Sequence, residues 1–515
     1  MKLKIVFISI LLGIAFFKGQ AQFTDRFWTF GDSAAIDFKN LSNPVPDSSI
    51  LRVRGTCVSI CDSLGDLLFY GGSPNIDIWL APNPPYTYNF GYLVSKNHQK
   101  MQNGDSLKTT GWYQEMIIVP NPGNINQFYV FTAGVVSPTI GLRYSLVDLS
   151  YNGGLGKVIQ KNVPLQNFQV SDGLAAIKHG NGRDWWFICT KWSNSIPNND
   201  FYIYLLNPSG LSGPFIQSIG TPTTSGFQRN KFTKSGNNLF SVAQQNLIEK
   251  FDFDRCTGVL SNFQQLSPFS TSSTIKFYWS FAISPDESKI YTTSVQQGIN
   301  ADISYLVQYD LNAINFLSSA DTLYTLVDPD IMGLLQRGPD DKIYMSSIYG
   351  FPDSCFDYLY CNSTVSATNT NLSVINYPDS LGAACDFQPF SFNLGGHKTY
   401  YGLPNNPDYE LGRLVGSPCD TLSVGLTELE SYKNNIVVYY DSPWQTAFIN
   451  AKGLRGKNYI LQIFNMSGQA VLSEAGELDS EYFTYNAIMS SFADGMYVVR
   501  LSTEKEMLTM KFVKN

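Results

Sequence analysis

The only imidazoles in this 515-residue chain are His98, His179 and His397. None has a second ligand at metal spacing, and none stands in a Gly-x-Ser-x-Gly context that would build a nucleophile. His179 lies in KHGNGRDWW, between Lys178 and Arg183-Asp184. That context predicts a turn between two strands whose polar groups bond one another. Asp252 and Asp254 are two apart, which puts both carboxylates on one face of a strand, as calcium or acid–base chemistry would need. Asp254, however, recurs as Asp310 and Asp148, each ending a strand before a turn, and Asp286 and Asp340 recur in the same way. Repetition in register marks turn formers of the Asx type. Trp185, Trp186 and Trp192 could stack on a sugar ring, but alternation in WWFICTKW sends Trp185 and Trp186 to opposite faces, so at least one packs between sheets. The glycine-rich YNGGLG lacks the lysine and strand-to-helix setting of a phosphate loop and reads as a turn. We therefore expect no catalytic residue, no cofactor and no metal ligand.

The eight cysteines are Cys57, Cys61, Cys189, Cys256, Cys355, Cys361, Cys385 and Cys419. An even count in an exported chain favours disulfides, although sequence does not choose the pairing. Cys355 and Cys361 share the irregular stretch PDSCFDYLYCNST, where a local bridge is sterically easy. Cys57 and Cys61 on one extended strand would be about 13 Å apart, too far to bridge unless CVSIC bends. Zinc is disfavoured, since there is no CxxC and no neighbouring histidine.

The elements that hold these residues repeat. FAISPDESKIYTTSVQQGINADISYLVQYDLNA (281–313) reads as strand, turn, strand, loop, strand. Related units occupy 231–262 and 334–347, with looser copies at 59–72, 116–150 and 177–210. A few-stranded antiparallel unit repeating every ~50 residues predicts an all-β fold, a β-propeller of about seven blades. Residues 41–56 read as loop, and the connection carrying PNPPYTYNF and SKNHQKMQNGDSL reads as a long rim loop, where binding usually resides.

Composition and ends set the destination. Lys2 and Lys4, the apolar run from Ile5 to Phe17, and Gly19-Gln20-Ala21 predict a signal peptide over 1–21. No other run approaches the length of a transmembrane helix. The formal net charge is −7 with no Lys/Arg block, which argues against nucleic acid or an anionic membrane surface as partner. The chain is long enough for two or more domains. We place the propeller at 22–423, a linker at 424–432 and a small immunoglobulin-like β-sandwich at 433–515. The sandwich is predicted from short alternating strands with turns at Gly453, Ser467-Gly468 and Asp494-Gly495.

Within 25–422, KHGNGRDWW, YSLVDLSYNGGLG, FDRCTGVLSN, YLVQYDLNA, GPDDKIY and LPNNPDYELGRLVGSPCDTL resemble a family of secreted, surface-associated bacterial propeller-like proteins. Two positions depart from that pattern. Glu287 stands where the family's turn carries glycine, and Gly180 stands where the family carries alanine. The C-terminal motifs NMSGQAVL, ADGMYVVRL and KFVKN resemble the type A sorting domain of the type IX secretion system. Gly468, Gly495, Tyr497, Lys511 and Lys514 fall on its motif positions. The usual Pro-Asn-Pro near the domain's start is replaced by Tyr-Asp-Ser-Pro (440–443). The resemblance implies the type IX secretion machinery as a partner and a secreted or cell-surface location reached through the periplasm. It names no activity, and the surface ligand is expected to be a glycan or a protein. The rival readings are a glycan- or peptide-degrading enzyme and an adhesin.

Overall fold

The computed structural model describes residues 24–74, 90–135, 137, 139–193, 195–270, 277–298, 301–349, 365–420, 436–441, 445–452, 454–478 and 482–514. The signal segment, the linker, Cys355 and Cys361 lie outside these residues. Seven antiparallel sheets follow one another along the chain at 27–52, 57–95, 116–166, 175–223, 228–267, 277–327 and 330–393. Each pairs its strands in sequence order, so every sheet is one blade. The protein is a seven-bladed propeller followed by a β-sandwich.

Strands buried on both faces place the core between blades rather than within one. Phe131 of the third blade stacks on Phe187 of the fourth at 4.0 Å, and Phe201 of the fourth meets Phe251 of the fifth at 5.3 Å. Trp28 of the first meets Tyr344 of the seventh at 5.7 Å, inside a cluster holding Phe30, Leu372 and Leu394. That cluster closes the ring by covering the facing sides of the first and last blades. Two backbone bonds assist, from the Asp32 N–H to the Lys398 carbonyl at 2.8 Å and from the Lys398 N–H to the Asp32 carbonyl at 3.4 Å.

The recurring aspartates act as their register implied. The carboxylates of Asp148, Asp254 and Asp310 accept from the N–H groups of Ser150, Cys256 and Asn312 at 2.9, 2.8 and 3.0 Å. Asp286 accepts from Ser288 at 2.9 Å, and Asp340 from Lys342 at 3.4 Å. Glu287 and its equivalent Asp341 have φ of 62° and 63°, a conformation in which glycine carries no steric penalty. Glu287 offsets the strain by accepting from the Ser235 N–H at 2.6 Å, a bond glycine could not make.

Two expectations need correction. Residues 41–56 are not all loop, because Val45–Arg52 is the outer strand of the first blade. Its polar reading reflects outer-edge exposure, where one face meets water. The cysteines form a bridge that spacing did not indicate, Cys256–Cys419, across 163 residues. Cys57, Cys61, Cys189 and Cys385 are free and buried. Burial pushes all four thiols up, which keeps them protonated and unreactive.

The sandwich packs a three-stranded sheet (Ile436–Asp441, Thr446–Lys452, Tyr482–Ile488) on a four-stranded one (Asn458–Asn465, Ala470–Glu477, Gly495–Thr503, Met507–Lys514). Its core, including Ile436, Leu461, Val499 and Phe512, draws on no propeller residue. Thr484 bonds Asn126 and Asn124 of the third blade at 3.2 and 3.4 Å.

Candidate functional site

After the seventh blade the chain turns into its own ring. The Gly402 N–H donates to the Arg54 carbonyl and the Asn405 N–H to the Cys57 carbonyl, at 3.0 and 2.9 Å. The Asn405 amide reaches the Met116 and Leu174 carbonyls at 3.1 and 3.0 Å, and the Tyr409 hydroxyl the Ile118 carbonyl at 2.9 Å. As the tail advances from 402 to 409, its partners advance along the first strands of the second blade, Cys57–Cys61, and the third, Met116–Pro120. The tail therefore runs down the channel parallel to those strands. Gly402 is required there, because a Cβ would lie 1.7 Å from the Gly55 carbonyl oxygen. Beyond the channel, Leu414 N–H bonds the Gly180 carbonyl at 2.8 Å, and Cys419 is tied to Cys256.

The tail gives the channel two unlike mouths. At the entry, Trp112 packs on Phe227 at 4.6 Å, while Tyr113, Trp279 and Tyr401 form a mutual triad at 5.4 to 5.7 Å. Trp112, Phe227 and Trp279 stay partly exposed. This collar is anchored by buried carboxylates. Asp172 accepts from the Gln114 N–H at 2.6 Å and pairs with Arg229 at 3.5 Å. Glu115 accepts from Thr110, and burial pushes its carboxyl up to about 8.

At the exit, a cavity of about 350 Å³ is lined by the ends of five blades' first strands and by 405–410. Ion pairs ring it: Arg337–Asp408 at 3.3 Å, Lys234–Asp341 at 2.7 Å and Arg26–Glu410 at 3.5 Å. Asp25 sits on the same wall, accepting from Trp28 Nε1 at 3.1 Å and Asn406 Nδ2 at 2.6 Å. Burial pushes its carboxyl up to about 7 against those bonds. A carboxyl raised in the fold holds a proton that the unfolded chain has released, so stability falls as pH climbs from about 4 to about 7. Asp25→Asn keeps both accepted bonds and removes the titration. Its thermal unfolding should lose part of that decline, on the order of 1–2 kcal/mol at pH 7.5 because solvent reaches the cavity. Parallel pH profiles for the two proteins would contradict the assignment.

The residues singled out by type occupy structural places. His179 Nδ1 accepts from the Asn181 N–H at 3.0 Å, so its Nε2 donates to the Cys256 carbonyl at 2.9 Å, and burial lowers its pKa. Asp252 accepts from Asn238 and Asn262 at 2.8 and 2.7 Å. Trp185 and Trp186 are both buried, in two different inter-blade clusters, and Trp192 donates to the Thr224 carbonyl at 2.6 Å. None of them lines the exit cavity. The mouths are built instead by Trp112, Trp279, Asp25 and Lys231, which sequence reading passed over.

In the sandwich the motif residues gather at one end of the four-stranded sheet. Gly495 pairs with Lys514, and Asn465, which opens the turn of Gly468, pairs with Tyr497. Lys514 Nζ meets Asp494 at 2.5 Å, and the Tyr497 hydroxyl closes back on the Ala493 carbonyl at 2.6 Å. Gly468, at φ 79°, has open space around it. Lys511 pairs with Val498 on the same end and is exposed. Residues 443–515 match the family model described as a secretion system C-terminal sorting domain. The C-terminal sandwich is a type IX sorting domain. The sorting domain directs the chain through that secretion system to the outer surface or the medium. Its first strand, Ile436–Asp441, precedes the matched residues.

No curated protein matches the chain. Among solved structures, it is similar to the Cps50 (Swd1) β-propeller domain of Myceliophteria thermophila, at 11% identity and TM-score 0.34, over 62% of this chain and 93% of that one. It is also similar to the extracellular domain of a putative one-component system from B. thetaiotaomicron, at 12% and 0.34, over 95% and 56%. A third is the periplasmic gluconolactonase of Pseudomonas aeruginosa, at 10% and 0.32, over 78% and 95%. Among the described residues, no helix is long and apolar enough to cross a membrane.

Proposed function

We propose that the protein is a binding protein of the outer surface, its ring a rigid scaffold that presents the aromatic entry mouth to a glycan or protein ligand. The observation that carries this reading is the collar of Trp112, Phe227 and Trp279, partly exposed yet fixed by edge-to-face contacts and by the buried Asp172–Arg229 pair. Rigid aromatic faces lose little entropy on binding and suit sugar rings or apolar side chains. The propeller is taken to span 22–423, with the linker at 424–432 separating it from the sorting unit. Gly468, Gly495, Tyr497, Lys511 and Lys514 then form the end of the sandwich that the secretion machinery reads. Glycan-array and surface-protein binding of the mature chain tests the mouth. Trp112→Ala with Trp279→Ala should reduce capture at least ~10-fold with the fold intact. Undiminished capture would move the ligand elsewhere.

A further inference from the structure

Among the described residues, one cation of the exit-side cavity, Lys231, has no counter-ion. Lys231 extends from the fifth blade's first strand, Gln228–Phe232, and crosses to the seventh, where its Nζ bonds the Leu335 carbonyl at 2.8 Å and Gln336 Oε1 at 2.9 Å. Both acceptors are neutral, and the Phe281 ring, 5.7 Å from Nζ, is a weak and uncharged partner for the third hydrogen. The charged groups facing it are Arg229 and Arg337, both positive. The carboxylates that share the cavity are engaged elsewhere: Asp408 with Arg337, Asp341 with Lys234 and Glu410 with Arg26. Beside Lys231, Asn230 is almost wholly buried and lines the cavity. Its Nδ2 bonds the Gly173 carbonyl at 3.0 Å while its Oδ1 has no partner among the described residues. Asp25 lines the same cavity, and both bonds it accepts end on Oδ1.

We propose that this cavity binds a small hydroxy acid of the sugar-acid class, its carboxylate on Lys231 and its hydroxyls donating to Asn230 Oδ1 and Asp25. A buried ammonium facing two other cations is costly to keep charged, and an anion supplies what the protein omits. About 350 Å³ holds one monosaccharide unit. Acceptors facing an anchored carboxylate select hydroxyl-bearing acids over plain ones. The site is at the opposite end of the channel from the aromatic collar and does not depend on the reading of that mouth.

Binding has a proton signature. Burial, with Arg229 and Arg337, lowers Lys231 to about 7. A bound carboxylate favours the ammonium, so Lys231 takes up a proton wherever the free amine was neutral; the net uptake is clearest at pH 8, nearly one proton, because Asp25 at about 7 is already ionised there and exchanges little. The test is isothermal calorimetry of the full mature chain with sodium D-glucuronate, in two buffers of different ionisation heat, with D-glucose in parallel. Saturable binding tighter than ~10 mM, proton uptake that grows from pH 7 to 8, and at least ~10-fold weaker binding to Lys231→Met are expected. If that variant fails to fold, proton uptake by the unaltered protein still decides. Absence of saturable glucuronate binding, equal binding of glucose, binding without proton uptake, or unchanged affinity in a folded Lys231→Met would each overturn the proposal.

Discussion

Deletion of residues 430–515 should leave a folded propeller in the periplasm and none outside the outer membrane. The full chain should appear at the surface or in the medium with the sorting domain removed. The expectation that the propeller survives rests on separable cores. The sandwich cluster from Ile436 to Phe512 contains only sandwich residues, and every inter-blade cluster is built from the ring and its channel tail. A unit with its own core folds alone. The bonds joining Thr484 to Asn124 and Asn126 are part-buried hydrogen bonds, each worth about 1 kcal/mol, too little to hold the ring together. The expectation that export fails rests on residues 443–515 being the sorting signal. Fractionation with antibody to the propeller reads the result. The truncated chain beyond the outer membrane would mean that the signal lies elsewhere; loss of its cooperative unfolding would mean that the ring needs the sandwich.

How much of this could be read from residues alone depends on the range over which each signal acts. Strand–turn–strand units are local, so the blades at 59–72, 116–150, 177–210, 231–262, 281–313 and 334–347 were visible in the pattern, as were the Asx turns of Asp148, Asp254 and Asp310. The departure at Gly180 became intelligible only in three dimensions, since a Cβ there would lie 2.4 Å from Cys419 Sγ and 3.0 Å from Cys256 Sγ. The channel tail has no periodicity because it bonds successive blades rather than one partner strand. The collar joins Trp112, Phe227, Trp279 and Tyr401 from four separated stretches. Lys231 alone left a trace. Its turn aligns through the bonds Thr233–Asn238, Ser284–Lys289 and His179–Asp184, which places Lys231 level with Ile177 and Ala282. A lysine where the fourth and sixth blades carry apolar residues on a channel-lining strand is a local anomaly, and it points to the cavity.

Cys419→Ser should cost the propeller several kcal/mol, the largest loss expected of any single exposed-face substitution. The bridge closes a 163-residue span, for which chain entropy gives about 5 kcal/mol as an upper figure. The loss should fall short of that, because the tail keeps other ties. Arg255 donates to the Lys178 and Gly412 carbonyls at 2.9 and 2.5 Å, and Leu414 bonds Gly180. Those ties hold the channel stretch while the bridge holds its end. Denaturant unfolding under oxidising conditions should therefore show a lower midpoint. Limited proteolysis should cut near 415–420 before it cuts any blade. Cys256→Ser should lose the same amount, and the double variant no more than either, because one bond is removed in all three. Gly180→Ala supplies an independent check on the geometry. In the unaltered protein the added methyl group meets both sulfurs, so the bridge must shift. In the Cys419→Ser background that obstacle is released, and the substitution should cost measurably less. A midpoint for Cys419→Ser within ~0.5 kcal/mol of the unaltered protein would remove the bridge from the stability of the ring, and additive costs for Gly180→Ala and Cys419→Ser would show that the two sites do not touch.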